Sequence, residues 1–185
     1  FILVQLPEKL DEKTEAYKAG YDNICEIGKE RIRRAGVKIK KEAGFTTDNL
    51  DIGFRVLKCD SSNMKNVYYN PAEYEPSLFT SLEDNIKEDR TLEDLLFQVM
   101  LDLGVLLSSK IEETTIAGKK VFNVEDNYLI ACFDDNVTED VITEIAKQRP
   151  YYFVMRDSSM ANDNVATNFE QIFAAYSPDT VRKVL

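Results

Sequence analysis

A few stretches of this 185-residue chain hold residue types at spacings that could do chemistry. Asp157-Ser158-Ser159 sets a carboxylate beside two hydroxyls, after a strand-like run and before a helical one. That is where α/β folds often place ligands. Without a Gly-rich turn beside it, the loop reads first as capping chemistry. Asn70-Pro71-Ala72-Glu73-Tyr74 puts a polar side chain and a carbonyl ahead of an aromatic ring. That composition is the one an ordinary Asn-Pro turn has. From Lys29 to Lys41 there are seven basic residues and one acid, Glu30. That face could meet phosphates, or it could be a solvated helix end whose cations suit the dipole.

Other chemistry is excluded by what the sequence lacks. It contains no histidine, which removes Ser-His-Asp and Cys-His relays and the usual zinc ligand sets. Its three cysteines, Cys25, Cys59 and Cys132, are isolated and odd in number. They read as reduced core thiols of a cytoplasmic protein, not as a disulfide frame or a metal site. No acidic cluster has the spacing of a calcium loop. The net charge is −10, and residues 45–185 carry 13 basic against 25 acidic residues, a net of −12. Such a surface repels phosphate, so this larger part is a poor candidate for direct DNA contact. With 44% hydrophobic and 30% charged residues the chain reads as globular. Its apolar runs are too short to cross a bilayer, so no membrane partner is expected. A chain opening on Phe1-Ile2-Leu3-Val4, with no Met and no signal pattern, is expected to be cut from something longer.

The elements that must position these residues follow from periodicity. Residues 1–6 form a nearly continuous apolar run closed by Pro7, the pattern of a strand buried on both faces. A helix is predicted over 22–43, with Cys25, Gly28, Ile32, Ala35, Ile39 and Ala43 as its apolar stripe and Gly44 as its stop. Residues 52–58 read as a second strand, which makes one βαβ unit. Residues 60–88 are irregular, with a short helix near 77–86. A capping box at Thr91 and Asp94 then opens a helix reaching Leu107. Strands follow at Ile111–Ile116, 120–124 and 128–133, joined by Ala117-Gly118 and Glu125-Asp126-Asn127 as an antiparallel meander. A helix over 137–147 capped by Asn136 or Thr138, a strand over 151–155 and a helix over 164–176 complete a mixed α/β module.

Several segments, in this order, resemble the modification subunits of type III restriction systems. They are Phe-Ile-Leu-Val-Gln-Leu-Pro-Glu at 1–8, Ile-Gly-Lys-Glu-Arg-Ile-Arg-Arg-Ala at 27–35, and Gly-Phe-Arg-Val-Leu-Lys-Cys-Asp-Ser-Ser-Asn at 53–63. Glu-Asp-Leu-Leu-Phe-Gln at 93–98, Phe-Asn-Val at 122–124 and Tyr-Phe-Val-Met-Arg-Asp at 152–157 carry the resemblance nearly to the end. It implies a β-class adenine-N6 DNA methyltransferase using S-adenosylmethionine. In that class an Asp-Pro-Pro-Tyr segment comes first, then target recognition, then a Gly-rich cofactor loop. This chain would begin after that loop. The segment at 70–74 lacks the second proline and follows the cofactor strands, so no catalytic residue is assigned.

The resemblance implies an α/β fold in two parts. Residues 1–60 would be the end of a Rossmann-like methyltransferase sheet, a partial βαβ. Residues 61–89 would connect it to a small mixed α/β assembly domain with the meander, residues 90–185. Gln5 would stand where a strand-end carboxylate usually accepts the ribose hydroxyls, and its neutral amide is a weaker acceptor. Expected partners are a second modification subunit, a restriction subunit, and DNA through a missing N-terminal part. The fragment is expected to be inactive alone. One alternative is a non-enzymatic dimerisation or interaction module. Another is a small independent enzyme using the Asp157-Ser158-Ser159 loop.

Overall fold

Side-chain caps mark the start of most of the described helices. The computed structural model describes residues 1–44, 50–65 and 85–185, which fall into two units, Phe1–Asp60 and Ser61–Leu185. In the first, α1 (Glu15–Lys18) is a single turn whose N-cap Thr14 accepts from the Tyr17 N–H. The long helix α2 (Ile24–Glu42) starts at Asn23, whose side chain accepts from the Glu26 N–H, and stops at Ala43. Gly44 follows at φ +60°, as the αL position after a helix demands. The expected helix is therefore present.

The expected strands around it are not. Phe1, Ile2 and Val4 are more than 90% exposed. Neither 1–6 nor 52–58 joins a ladder, so the βαβ unit is not formed among the described residues. An apolar run becomes a buried strand only when neighbours satisfy its N–H and C=O groups and cover both faces. Here the pairing nearby is a bridge from Lys9 to Asn23. The helix stripe is realised only in its first half. Cys25, Gly28 and Ile32 are half-buried, Ala35 and Ile39 are exposed, and Gly36 is buried instead. A Cβ at Gly36 would lie 3.1 Å from the Cβ of Ile52, so glycine lets the later segment approach the helix.

The described residues of the second unit form buried apolar clusters on both faces of one sheet. The Thr91–Asp94 capping box opens α3 (Leu92–Asp102) as expected. It ends well before Leu107, because Gly104 turns the chain at φ +71° and Leu106 is left 72% exposed. Of the expected helix at 77–86, residues 77–84 lie outside the described ones. Ile86 is not helical but bridges Met64 and is buried. Strands β1 (Ile111–Ile116), β2 (Lys119–Val124) and β3 (Leu129–Cys132) form the expected antiparallel meander. After it come α4 (Glu139–Lys147), β4 (Tyr152–Met155), a 3-10 turn (Asp157–Ser159), α5 (Asp163–Tyr176) and β5 (Val181–Val184). Thr138 is the N-cap of α4, and Asn162 caps α5 by accepting from the Asn164 and Val165 N–H groups.

The sheet runs β1-β2-β3-β4-β5. β3, β4 and β5 are parallel, joined by the crossovers through α4 and α5. Strand β5 was not expected from its four residues. Period-2 alternation sorts side chains to two faces. Ile130, Cys132, Phe153 and Met155 pack with α4 and α5. Leu129, Ala131, Phe133 and Val154 pack with α3. β3 is buried throughout, as a central strand between helical layers must be.

Two expected outcomes arise here. Ala117 sits at φ +47° in the two-residue β1–β2 turn beside Gly118 at φ +81°, which is type I′ geometry that disfavours a Cβ. Ala117→Asn should stabilise the unit by about 1 kcal/mol, read as a raised urea midpoint at unchanged slope. A lowered midpoint would contradict the turn assignment. Cys132 is fully buried, and burial pushes its thiol up to about 11. At mildly alkaline pH a thiol dye should label exposed Cys59 in the native protein and Cys132 only in denaturant. Native labelling at Cys132 would contradict the core.

Candidate functional site

Gln5 lies in the exposed segment that runs past the start of α2. Its Nε2 donates to the Leu6 carbonyl at 3.2 Å, and its own carbonyl accepts from Cys25 Sγ at 3.6 Å. Farther on, Ile24 N–H donates to the Glu8 carbonyl at 3.1 Å and Leu10 N–H to the Asp22 carbonyl at 3.0 Å. The segment 5–10 is thus tied alongside the N-terminus of a 19-residue helix, the end where backbone N–H groups are in excess. What Gln5 offers chemically is a carboxamide oxygen able to accept from a hydroxyl.

The basic face of α2 is partly neutralised by the helix itself. Lys29 pairs with Glu26. Arg34 Nε reaches Glu30 at 2.7 Å and Arg33 lies 3.8 Å from it. Lys38 faces Glu42 at 3.7 Å. The hydrogen bond from Arg34 to Glu30 holds that guanidinium above its ordinary range. Arg33 also lies 5.8 Å from the centroid of the Phe54 ring. Arg31, Lys40 and Lys41 extend the charge into solvent. A solvated, self-paired helix face accounts for most of this pattern.

The Asp157-Ser158-Ser159 loop is a staple. Asp157 N–H donates to the Leu185 carbonyl at 3.1 Å, and Val137 N–H donates to the Ser159 carbonyl at 2.7 Å, which ties the loops after β3, β4 and β5 together. Arg156 adds bonds to the Phe133 carbonyl at 3.4 Å and to Asp135 at 3.3 Å. Ser159 is fully buried, while Asp157 and Ser158 face solvent. Among the described residues, the buried Ser159 hydroxyl has no hydrogen-bond partner. The motif at 70–74 lies outside the described residues. Among the described residues no group of histidine, cysteine, aspartate or glutamate is placed to hold a metal ion, and no helix is long and apolar enough to cross a membrane.

One cluster escaped the sequence reading. Tyr128, Tyr151 and Tyr152 come together at the N-terminal ends of β3 and β4. The parallel register that sets Leu129 opposite Tyr152 creates it. The signal in the sequence was only a Tyr-Tyr pair at one strand start and a tyrosine at another. A second cluster, Lys120 with Glu93 at 2.6 Å and Glu113 at 3.0 Å, ties α3 to the meander. The Lys120 hydrogen bond holds the Glu93 carboxyl below its ordinary range.

Over 174 residues, 92% of its length, the chain is 29% identical to the Mod subunit of the type III restriction-modification enzyme EcoP15I of Escherichia coli. Its likeness is to type III Mod subunits. A 55-residue stretch is 44% identical to the StyLTI Mod subunit of Salmonella typhimurium. The chain spans about a quarter of the length of the EcoP15I Mod subunit and 8% of the StyLTI one is covered. No family model matches the chain. The resemblance carried by scattered motifs therefore holds along nearly the whole chain, including the second unit. Toward S-adenosylmethionine, Gln5 presents a carboxamide oxygen that can accept a hydrogen bond, in an exposed segment.

Proposed function

We propose that this chain works as the C-terminal part of a site-specific DNA adenine-N6 methyltransferase, the modification subunit of a type III restriction-modification system. The observation that carries this reading is the similarity to the EcoP15I Mod subunit across 92% of the chain. In this reading residues 1–60 close the cofactor sheet. The exposed run 1–6 is the edge that neighbouring strands of the methyltransferase domain would cover, and Gln5 would accept from the ribose of S-adenosylmethionine. S-adenosylmethionine supplies the methyl group when bound. This chain's residues only orient its nucleoside end, and the chain alone is inactive.

Residues 61–89 connect to the assembly module, residues 90–185. Its partners are a second modification subunit and a restriction subunit. DNA is held elsewhere, which agrees with 13 basic against 25 acidic residues over 45–185. The setting is the cytoplasm, where the host genome is. A second reading, a non-enzymatic interaction module, is favoured by one observation. The described residues of Ser61–Leu185 form apolar clusters of their own, with helices on both faces of the sheet.

Calorimetric titration with S-adenosylmethionine tests the first reading. The chain should bind weakly or not at all. The same chain extended N-terminally through a Mod-type Gly-rich loop should bind at micromolar affinity or better. An extended chain that never binds, yet still assembles with a restriction subunit, would favour the interaction module. Tight binding by the chain as it stands would mean that the cofactor site is complete within it.

A further inference from the structure

The tyrosine cluster takes no part in the proposed cofactor site, yet it is elaborately held. Tyr128 and Tyr151 stack with centroids 5.3 Å apart and planes 5° apart. Tyr152 meets them edge-on at 5.6 and 4.7 Å. Tyr128 remains 41% exposed and Tyr151 53%. Beneath them, Glu125, Asp126 and Asn127 are successive non-glycine residues at φ +51°, +48° and +71°, and Arg149 in the facing loop is at φ +53°. Backbone of this kind persists only where the surroundings over-determine it. Here Asn127 does so: its N–H donates to Asn123 Oδ1 at 2.8 Å, its Oδ1 accepts from Asn123 Nδ2 at 2.6 Å, and its Nδ2 donates to the Gln148 carbonyl at 3.3 Å.

Charge selects what such a surface would meet. Ser61–Leu185 holds 11 basic and 22 acidic residues, a net of −11. Many of its cations are engaged within the fold: Lys110 with Glu112, Lys147 with Glu144, Arg182 with Glu170. Next to Tyr128 in the chain, Glu125 and Asp126 carry negative charge beside Lys110, which also pairs with Glu112. A second copy would bring the same negative charge, and a phosphate backbone would be repelled. A basic surface is complementary. Among cations, the guanidinium is planar, weakly hydrated and able to stack on an exposed phenol ring.

We propose that Tyr128, Tyr151 and Tyr152 form a docking platform for an arginine-bearing segment of a partner protein. The proposal rests on the assembly reading of the second unit and names the chemistry of its partner.

The test titrates the full chain with a short alternating Gly-Arg peptide and with its Gly-Lys counterpart of equal charge, following tyrosine ring protons by NMR. The arginine peptide should bind about threefold tighter or more and shift all three rings. Tyr151→Ala should remove that preference and Tyr151→Phe should keep it, both with unchanged melting behaviour. Equal affinity for the two peptides would overturn the platform, as would a preference that survives Tyr151→Ala. Tyrosine-dependent self-association in sedimentation, or tyrosine-dependent binding of a short DNA duplex, would overturn it too. Co-purification with a restriction subunit separates the two ideas. Assembly without arginine preference sinks the platform and leaves the assembly reading standing. Arginine preference without assembly does the reverse.

Discussion

Phe173→Ala is expected to destabilise the second unit by about 3–5 kcal/mol, a large fraction of the stability of a domain this size. Phe173 is fully buried. Its ring stacks on Phe153 at 5.3 Å and meets Phe169 edge-on at 5.3 Å. The Arg182 guanidinium lies 5.7 Å from its centroid, so the same ring joins α5 to β4 and to the edge strand β5. Truncation would open a cavity between rigid elements that cannot collapse into it. The measurement is urea denaturation followed by far-ultraviolet circular dichroism. Phe173→Leu should cost clearly less, because most of the volume is kept. A loss below about 1 kcal/mol for the alanine variant would mean that α5 does not pack on the sheet as described.

Asn127→Ala is the second large effect, about 2–3 kcal/mol of destabilisation. Asparagine tolerates φ +71° better than alanine. Its side chain also bonds to Asn123 within its own turn and to the Gln148 carbonyl in the facing loop. Asn127→Gly separates the contributions: it removes the backbone strain but not the lost hydrogen bonds, so its cost should be smaller. The tyrosine rings report the same change locally. With the loops no longer joined, the Tyr128–Tyr151 nuclear Overhauser contacts should weaken even where the core remains folded. Full retention of those contacts and of stability would show that the loops hold themselves without Asn127.

How much could be read beforehand differs between the two units for one reason. In the second, each element satisfies itself or its sequence neighbour. The Thr91–Asp94 capping box and the Ala117-Gly118 turn are local arrangements that appear where expected, and the helix expected over 137–147 runs over Glu139–Lys147, with Thr138 at its N-cap making no side-chain cap bond. In the first, the apolar run 1–6 reads as a strand because its composition suits burial on two faces. A strand is a pairing, however, and Phe1 and Val4 stand in solvent for want of one. Helix α3 ran shorter than its apolar pattern because one glycine at φ +71° outweighs further leucines.

The site followed the same division. Gln5 could be singled out only by resemblance; the structure shows it exposed beside the start of α2, its backbone carbonyl accepting from Cys25 Sγ. The Asp157-Ser158-Ser159 loop was expected to act as capping chemistry, but its 3-10 turn has no side-chain cap and Asn162 caps α5 instead; its backbone bonds to the stretches after β3 and β5 give it a structural task.

By itself the sequence determined the likeness to type III Mod subunits, the absence of imidazole chemistry, the acidic second half and the meander. These depend on residue identity and on contacts within a few positions. Only the tertiary structure decided that β3, β4 and β5 run parallel, that β5 exists at all, and that Tyr128 stands against Tyr151 and Tyr152. Those are meetings between residues 20 or more positions apart. They are set by which strand edges remain to be paired and which faces remain to be covered, and no local pattern encodes that.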